Sequence, residues 1–557
     1  MTARMDGGRA VVEALRAHGV SKVFGVVGST LFSVYDALYE DPQISLITPR
    51  GEDGAGHMAD AYARVTGDVG VCLFTIGAGA AYGLSAIGEA FADSIPVLAI
   101  CTQIPTRYLD KNKGVYHECQ DQMAMFKPVT GWCHRVTRAA DIPEAIREAF
   151  RRMRSGRPRP VMLEIPADIL SAEFDAPILS PAPVAEVVVD DAQVRAAADM
   201  LRAAKNPIIW AGGGVVRAQA GAELQELAEL LQAPVLGTST SKGILPDDYP
   251  LMLGNILTQS PLIETQALNA ADVMLAMGTR FSERATRSTD TGANRDAIGR
   301  STEGWTVRLP ANLIHVDIDP AEFGKNYPPT LSVQADARVF LRKLLQALRA
   351  GGLAPRKSKV TRFKKLKAAA HADIKKRFPE EIELLEKLRR AIPRDAIVSA
   401  QSIPGHWARF AFEMYKPANF LFAYSFGSMG YAFHAAIGAK LAFPERPVIA
   451  LCGDGGFVFG CGEMATIAHY KLPIPVVIFN NHGFKILQTS QKRRYGRVMG
   501  TDLTNPDFIQ LGKSFGFRTQ RVRTLSALGS SIKKALAADG PTLIEAVIDF
   551  TAREFSV

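Results

Sequence analysis

The chain has 557 residues, of which 47% are apolar and 22% are charged. This composition is normal for a soluble protein with large cores, and the length predicts about three or four domains. The net charge is +9, but Lys and Arg are spread along the chain without interleaved aromatic residues, so we expect no nucleic-acid partner. The N-terminus lacks a signal-peptide core and no uncharged apolar stretch could span a membrane. We therefore expect a cytoplasmic protein without a membrane contact.

Short apolar segments alternate with amphipathic ones along the whole chain, a pattern typical of parallel α/β domains. The first block, residues 1–180, opens with a predicted helix in MTARMDGGRAVVEALRAHG. Its predicted strands are SKVFGVVG, ISLITPR, VGVCLFT, IPVLAICT and PVMLEIP. The Pro-rich stretch at 180–190 is predicted to be a linker.

The second block, residues 190–350, has the predicted strands NPIIWAGGG, APVLGT, ADVMLAMG and LIHVDID. A basic run, RKSKVTRFKKLK from Arg356 to Lys367, follows it and is predicted to be a solvated connector. The third block, residues 370–557, has the predicted strands AIVSA, RPVIALCG, IPVVIFNN and PTLIEAVID. The chain is therefore predicted to form three α/β domains with doubly wound parallel sheets.

Small polar side chains follow two successive predicted strands of the third block. Asp454 comes directly after RPVIALCG, and Asn481 ends IPVVIFNN 27 positions later. Ligands of open α/β sheets collect at the carboxyl ends of strands, so we expect these oxygens to face one point. Such a set suits Mg²⁺ shared with a phosphorylated ligand, and Gly453, Gly455 and Gly456 would let the backbone approach a phosphate closely. The sequence predicts a Mg²⁺–diphosphate site.

This stretch resembles the thiamine-diphosphate motif, and essentially the whole chain resembles the acetolactate-synthase-like family of thiamine-diphosphate enzymes. The resemblance implies that the side chains of Asp454 and Asn481 and the carbonyl of Gly483 bind the metal. It also implies pyrimidine-binding, central and diphosphate-binding domains, in that order.

The resemblance assigns the other end of the cofactor to two further segments. Glu52, at the start of a predicted helix in PRGEDGAGHMADAYAR, matches the family's catalytic Glu, which hydrogen-bonds a ring nitrogen of the aminopyrimidine. The alternative is an ordinary helix N-terminal Glu favoured by the helix dipole. YSFGSMGYAF is similar to the family's G-x-G-T-M-G, so Met429 would support the bent cofactor and the carbonyl of Gly427 would accept from its amine. Gly28, Ser428 and Phe484 complete the implied cofactor-binding set.

Glu52 and the metal motif lie in different predicted domains. In the family each active site is built between two subunits, so the resemblance implies a homodimer or homotetramer.

The second block contains AGGG after a predicted strand, which is weak evidence for a nucleotide on its own. Segments around it are similar to those that hold FAD in acetolactate synthases, with Gly213 and Arg280 as implied cofactor-binding residues. Further matching positions are Thr238, Arg284, Asp317, Asp319 and Asp336. The segment GNILTQS and a long insertion depart from that pattern, so FAD and a purely structural domain both remain open.

Departures near the reacting atoms bear on the substrate. His117 stands where the family has a Gln, and Ser490 where biosynthetic acetolactate synthases have a Trp. His117 could act as a general acid, orient an acceptor, or have no catalytic role. Lys485 and the run Lys492–Arg494 could steer an anionic substrate or form a solvated loop.

The resemblance favours a thiamine-diphosphate- and Mg²⁺-dependent enzyme that decarboxylates a 2-oxo acid and transfers the carbanion to a carbonyl acceptor. The alternative is a simple 2-oxo-acid decarboxylase that releases an aldehyde. A nucleotide-dependent oxidoreductase is a remote alternative, because it leaves Asp454, Asn481 and Glu52 unexplained.

Overall fold

Three six-stranded parallel sheets, each with helices on both faces, form the framework and confirm the predicted fold class. The computed structural model describes residues 2–177, 179–184, 187–254, 261–283, 285–286, 307–354 and 356–548. Most of GNILTQS, the long insertion that follows Thr286, and Arg284 lie outside the described residues.

The first domain has the sheet order β3-β2-β4-β5-β7-β6. The strands of this domain are β1 (Thr2–Asp6), β2 (Lys22–Gly25), β3 (Ser45–Ile47), β4 (Gly70–Phe74), β5 (Val97–Gln103), β6 (Trp132–Arg135), β7 (Val161–Pro166) and β8 (Glu173–Pro177). The helices are α1 (Gly7–Ala17), α2 (Phe32–Glu40), α3 (Glu52–Thr66), α4 (Ala78–Ala92), α5 (Gln122–Phe126), α6 (Ile142–Arg154) and α7 (Ala167–Leu170). Both faces are buried: Val71 and Leu73 enter one core cluster, whereas Cys72 and Phe74 enter another.

The predicted helix at the N-terminus is wrong for its first residues. Strand β1 pairs antiparallel with β8, and the helix begins only at Gly7. The Asp6 side chain accepts a hydrogen bond from the N–H of Arg9 at 2.7 Å, so an N-cap fixes the boundary. The partner strand lies far along the chain, which is why the local pattern missed it.

The central domain has the sheet order β11-β10-β9-β12-β13-β14. The strands are β9 (Pro207–Ala211), β10 (Val235–Gly237), β11 (Met252–Gly254), β12 (Val273–Met277), β13 (Asn312–Asp317) and β14 (Leu331–Gln334). The helices are α8 (Asp191–Ala203), α9 (Gly213–Arg217), α10 (Gly221–Leu231), α11 (Pro261–Ile263) and α12 (Ala337–Ala350). The described residues of the predicted linker at 180–190 form neither helix nor strand.

The basic run is not a connector along its whole length, so that prediction is wrong. Helix α13 (Val360–Arg377) begins inside it. Phe363, Leu366 and Ala370 of this helix are buried in the core of the central domain. Their helical spacing forms an apolar stripe. Lys367, on the same side of the helix, is half-buried and donates to the carbonyls of Asp247 and Met252.

The third domain has the sheet order β16-β15-β17-β18-β20-β19. The strands are β15 (Ile397–Ala400), β16 (Phe420–Leu421), β17 (Val448–Gly453), β18 (Pro475–Phe479), β19 (Arg518–Val522) and β20 (Thr542–Ala546). The helices are α14 (Pro379–Ala391), α15 (Ser402–Ala411), α16 (Tyr431–Ala442), α17 (Asp454–Val458), α18 (Met464–His469), α19 (Lys485–Tyr495), α20 (Phe508–Ser514) and α21 (Leu525–Leu536). Neighbouring strands β17 and β18 end in the two motifs that carry Asp454 and Asn481.

Helices α3 and α16 pack against each other and join the first domain to the third. A Cβ atom at Gly438 would lie 2.3 Å from the carbonyl oxygen of Met58, so the two backbones are in close contact. Nearby, the Tyr431 hydroxyl donates to the carboxylate of Asp60 at 2.9 Å, and Arg64 pairs with the same carboxylate at 2.7 Å. No helix within the described ranges combines the length and the apolar character needed to cross a bilayer.

Gly438→Ala should destabilise the protein, because its methyl group would force α16 away from α3. We expect a loss of about 1–3 kcal/mol in the free energy of unfolding, measured from urea denaturation midpoints. The matched control is Gly529→Ala on α21, where a Cβ would meet nothing within 4 Å. That variant should be neutral or gain up to about 1 kcal/mol. Equal midpoints for the two variants would contradict the packing argument.

Candidate cofactor and active site

The ends of β17 and β18 bring Asp454 and the turn Asn481–Phe484 together. The carboxylate of Asp454 accepts from the N–H of Gly483 at 3.1 Å. A Cβ at Gly455 would lie 2.4 Å from the Phe484 ring, so that ring packs directly on the glycine backbone. The close packing of the Phe484 ring therefore requires a glycine at position 455.

Two asparagines that the sequence analysis did not assign hold this turn in place. Asn505 donates to Asp454 at 2.8 Å and to Asn480 at 2.9 Å. Asn480 in turn donates to Glu545 at 2.8 Å and accepts from the N–H of His482 at 3.2 Å. Asn480 is the first letter of the NN pair and could have been noticed, whereas Asn505 lies in the distant TNPD segment.

The oxygens at this strand edge fit a divalent cation that is shared with a ligand. The side-chain oxygen of Asn481 is buried and has no hydrogen-bond partner among the described residues. Both hydrogen bonds to Asp454 fall on Oδ2, which leaves Oδ1 for another partner. The carbonyl of Gly483 accepts from the N–H of Lys485 at 3.0 Å and keeps a second lone pair. No cluster of three His, Cys, Asp or Glu side chains suited to a metal occurs in the described residues.

The turn before α16 carries Gly427, Ser428 and Met429. Gly427 and Gly430 both have φ of +83°, a conformation that favours glycine. Gln401 donates to the carbonyl of Ser428 at 2.9 Å and to the sulfur of Met429 at 3.7 Å. Gln401 directly follows β15, so it occupies a strand end as Asp454 does. This position could have identified it as a candidate site residue from the sequence.

Glu52 begins α3 and is partly buried. A Cβ at Gly79 would lie 2.6 Å from its carboxylate oxygen and 2.6 Å from the methyl group of Thr75, so the glycine leaves room for both side chains. Burial, and secondarily the charge of Glu52, raises the pKa of Tyr35 well above its usual value. Gly28 is nearby in the fold, because a Cβ there would lie 2.7 Å from the hydroxyl of Thr75, which also contacts Gly79.

His117 lies against the turn that leads into α4. Its φ is +66°, in the left-handed region, and its carbonyl oxygen would be 2.2 Å from a Cβ at Gly77. Buried Gln122 accepts from the N–H of Gly77 at 2.8 Å and donates to the carbonyl of Thr102 at 3.0 Å. Gln122 thus positions the turn, and nothing in the local sequence pattern pointed to it.

Within one chain these residues fall into two candidate half-sites. Glu52, Gly28 and His117 belong to the first domain, and the Met429 and Asp454 segments belong to the third. On the third domain, α19 follows the Asn481–Phe484 turn, buries Ser490 and exposes the basic run Lys492–Arg494.

A cavity of about 570 Å³ lies where the three domains meet. Residues that the sequence assigned to a flavin line it: Gly213, Thr238, Arg280, Asp317 and Asp336. Asp319 instead pairs with Arg157 at 3.3 Å. Burial raises the pKa of Asp317 to about 6. The cavity therefore gathers cations and carboxylates around one space.

The AGGG glycines have a packing explanation. A Cβ at Gly212 would lie 2.1 Å from the carbonyl oxygen of Gly278, and one at Gly214 would lie 2.6 Å from the Gly278 Cα. The turn after β9 is thus pressed against the turn after β12. Helix α9 has only five residues, so the glycines are not by themselves evidence for a dinucleotide.

Family models match each of the three sheets in turn. The N-terminal thiamine pyrophosphate-binding domain of thiamine pyrophosphate enzymes matches residues 5–125, the central domain matches 194–344, and the C-terminal thiamine pyrophosphate-binding domain matches 403–546.

Full-length relatives agree with these matches. A probable acetolactate synthase large subunit of Methanocaldococcus jannaschii is 33% identical over 98% of this chain and 92% of its own length. A probable 2-ketoarginine decarboxylase of Pseudomonas aeruginosa is 35% identical over 97% of this chain and 94% of its own. The acetolactate synthase large subunit of Corynebacterium glutamicum is 33% identical over 98% of this chain and 87% of its own length. With three domain models in the order of the three sheets and relatives spanning nearly every residue, the chain belongs to the thiamine pyrophosphate enzyme family and is an acetolactate-synthase-like, thiamine-diphosphate-dependent enzyme.

Proposed function

We propose that this protein is a Mg²⁺-dependent carboligase that decarboxylates a 2-oxo acid and joins the remaining fragment to a carbonyl acceptor. The observation that carries the proposal is the oxygen set at the ends of β17 and β18. It combines the Asp454 carboxylate with a buried Asn481 oxygen that has no partner among the described residues. This set is incomplete without a phosphorylated ligand.

Each assigned residue has a defined task in the proposed reaction. Asp454, Asn481 and the Gly483 carbonyl would hold Mg²⁺ together with the diphosphate, and Met429 would support the rings. Bound thiamine diphosphate supplies the carbon nucleophile and the electron sink. Glu52 holds or exchanges a proton at the aminopyrimidine nitrogen, beside a glycine that leaves room for its carboxylate. Phe484 packs on Gly455 and fixes the turn next to the metal.

A simple decarboxylase is the second candidate. Exposed His117 lies at the Gly77 turn of the Glu52 half-site. An imidazole there could deliver a proton and release an aldehyde before an acceptor arrives. One relative of similar identity is named as a 2-ketoarginine decarboxylase. The basic run on α19 is the element proposed to attract the carboxylate of the substrate.

We further propose that each active site forms between two chains of a homodimer or a larger oligomer. The neighbours of the Glu52 carboxylate belong to its own domain. Large apolar side chains near both half-sites are exposed in the single chain, including Tyr116 at 83%, Phe459 at 61% and Met499 at 85%. A contiguous apolar surface formed by such side chains would mark an interaction site.

The central cavity is proposed as a nucleotide site, with FAD as the candidate ligand. Its arginines suit a diphosphate and its carboxylates suit a ribose. Arg217 is committed elsewhere, since its guanidinium donates to the carbonyls of Asp93, Ser94 and Gly213. Arg280, whose guanidinium donates to the hydroxyl of Ser425 at 2.8 Å, is the arginine proposed to bind the ligand.

Incubation with thiamine diphosphate, Mg²⁺ and a panel of 2-oxo acids should yield a 2-hydroxyketone. EDTA should abolish the reaction, because the diphosphate loses its cation. Products are identified by mass spectrometry. An aldehyde as the sole product, with or without added acceptors, would support the decarboxylase instead.

Glu52→Gln should leave folding intact and slow turnover by about 10²- to 10⁴-fold, the usual contribution of one acid–base group. The matched control is Glu144→Gln on α6, which only removes an exposed ion pair with Arg147 and should keep wild-type activity. A near-normal kcat for Glu52→Gln would rule out the assigned role.

A mixing experiment extends this test to the proposed dimer. Inactive Glu52→Gln and inactive Asp454→Ala chains are unfolded together and refolded. If sites form between chains, half of the random dimers carry one intact site, and activity returns to about a quarter of the wild-type value. No recovery would place both residues of each site on one chain.

The purified protein should show flavin absorption bands in the visible range, because the cavity would retain FAD. Heat denaturation should release an equimolar flavin. A colourless protein that also releases no adenine nucleotide would leave the central domain with a structural role.

A further inference from the structure

Two buried carboxylates connect the first and third domains in opposite directions. Glu89, on α4 of the first domain, accepts from the N–H groups of Gly427 and Ser428 at 2.9 and 3.1 Å. Glu463, just before α18 of the third domain, accepts from the N–H groups of Arg50 and Gly51 at 2.8 and 3.1 Å. Each carboxylate therefore accepts hydrogen bonds from two consecutive backbone amides of the other domain.

The four amides that donate these hydrogen bonds lie directly before residues assigned to the cofactor. Arg50 and Gly51 precede Glu52, whereas Gly427 and Ser428 precede Met429. Successive N–H groups that converge on one anion form a rigid concave site, and they fix the direction of the peptide that follows. The position of each assigned side chain thus depends on a glutamate of the opposite domain.

Because both carboxylates are buried, breaking their hydrogen bonds would cost considerable free energy. Glu89 and Glu463 are 0% and 3% exposed. Burial raises the pKa of both carboxyl groups, that of Glu89 to about 8. One oxygen of Glu463 also accepts from the Thr466 hydroxyl, whereas Oε1 of Glu89 has no partner among the described residues. A single oxygen of Glu89 accepts both hydrogen bonds, so the neutral side-chain amide of a glutamine could replace the carboxyl group.

We propose that Glu89 and Glu463 are positioning residues for the thiamine-diphosphate site, Glu463 for the Glu52 carboxylate and Glu89 for the Gly427–Met429 turn. This inference rests on the proposed function. In a dimer with shared sites, the Glu52 and Met429 of one chain serve different active sites. The two glutamates of a chain would then act on different sites as well.

The two residues should give different defects, which a merely structural role would not produce. Glu89→Ala loosens the turn that contacts the cofactor, so the half-saturating concentration of thiamine diphosphate should rise about 10-fold or more, from the loss of two hydrogen bonds. Glu463→Ala misplaces Glu52, so hydrogen–deuterium exchange at C2 of bound thiamine diphosphate should slow by about 10- to 100-fold, with little change in half-saturation. Binding is followed by calorimetry, and exchange by acid quench and proton NMR.

Conservative variants complete the experiment. Glu89→Gln and Glu463→Gln keep an acceptor oxygen and should stay within about 3-fold of wild type in both measurements. If the Ala variants do not fold, Glu89→Asp and Glu463→Asp, which shorten the side chain, replace them in the same two measurements. The control is Asp247→Ala. Buried Asp247 also accepts an N–H across a domain boundary, from Met414 at 2.8 Å. It pairs with Lys242 at 3.3 Å, and neither partner is assigned to the cofactor. Asp247→Ala should lower the stability of the protein without changing thiamine diphosphate binding or C2 exchange.

Wild-type binding and C2 exchange in the folded Ala or Asp variants of Glu89 and Glu463 would overturn the positioning role. Equal defects in the Asp247 control would overturn it as well, because the effect would then be a general loss of stability. A wild-type protein that fails to bind thiamine diphosphate and Mg²⁺ would instead refute the proposed function, and the two failures are therefore distinguishable.

Discussion

The contact between α3 and α16 is the constraint on which the arrangement of the site depends. These helices start at Glu52 and immediately after Met429 and Gly430, so their packing sets where both segments lie. Gly438 permits the close approach, and Asp60, Arg64 and Tyr431 form a buried polar network beside it. Breaking one member of such a network leaves an unpaired buried charge, which makes the domain interface specific. One chain therefore folds its first and third domains as a single packed unit.

The strand ends that carry Asp454 and Asn481 show how parallel sheets can build a ligand site from incomplete parts. Asp454 and Asn481 stand at adjoining strand ends, held by Asn505 and Asn480. The protein alone supplies too few hard oxygens to retain a cation firmly, so metal and diphosphate are expected to bind together. A buried amide oxygen without a partner is costly, a cost that a bound cation would offset.

The central domain illustrates the opposite case, in which a suggestive motif has an ordinary cause. Gly212 and Gly214 are required because the turn after β9 presses on Gly278. The cavity beside them draws residues from all three domains. Its chemistry depends on that junction, which no local motif describes.

The sequence by itself determined the alternation of strands and helices, the three-domain plan, and the strand-end or helix-start positions of Asp454, Asn481 and Glu52. These features follow from local rules: apolar periodicity, glycine turns and the edge where parallel strands end. Only the tertiary structure revealed the pairing of β1 with β8, the burial of α13, and the supporting roles of Gln122, Gln401, Asn505, Glu89 and Glu463. The physical reason is distance along the chain. Glu89 and Gly427 are 338 residues apart and Glu463 and Arg50 are 413 apart, so their contacts exist only once the helices have packed.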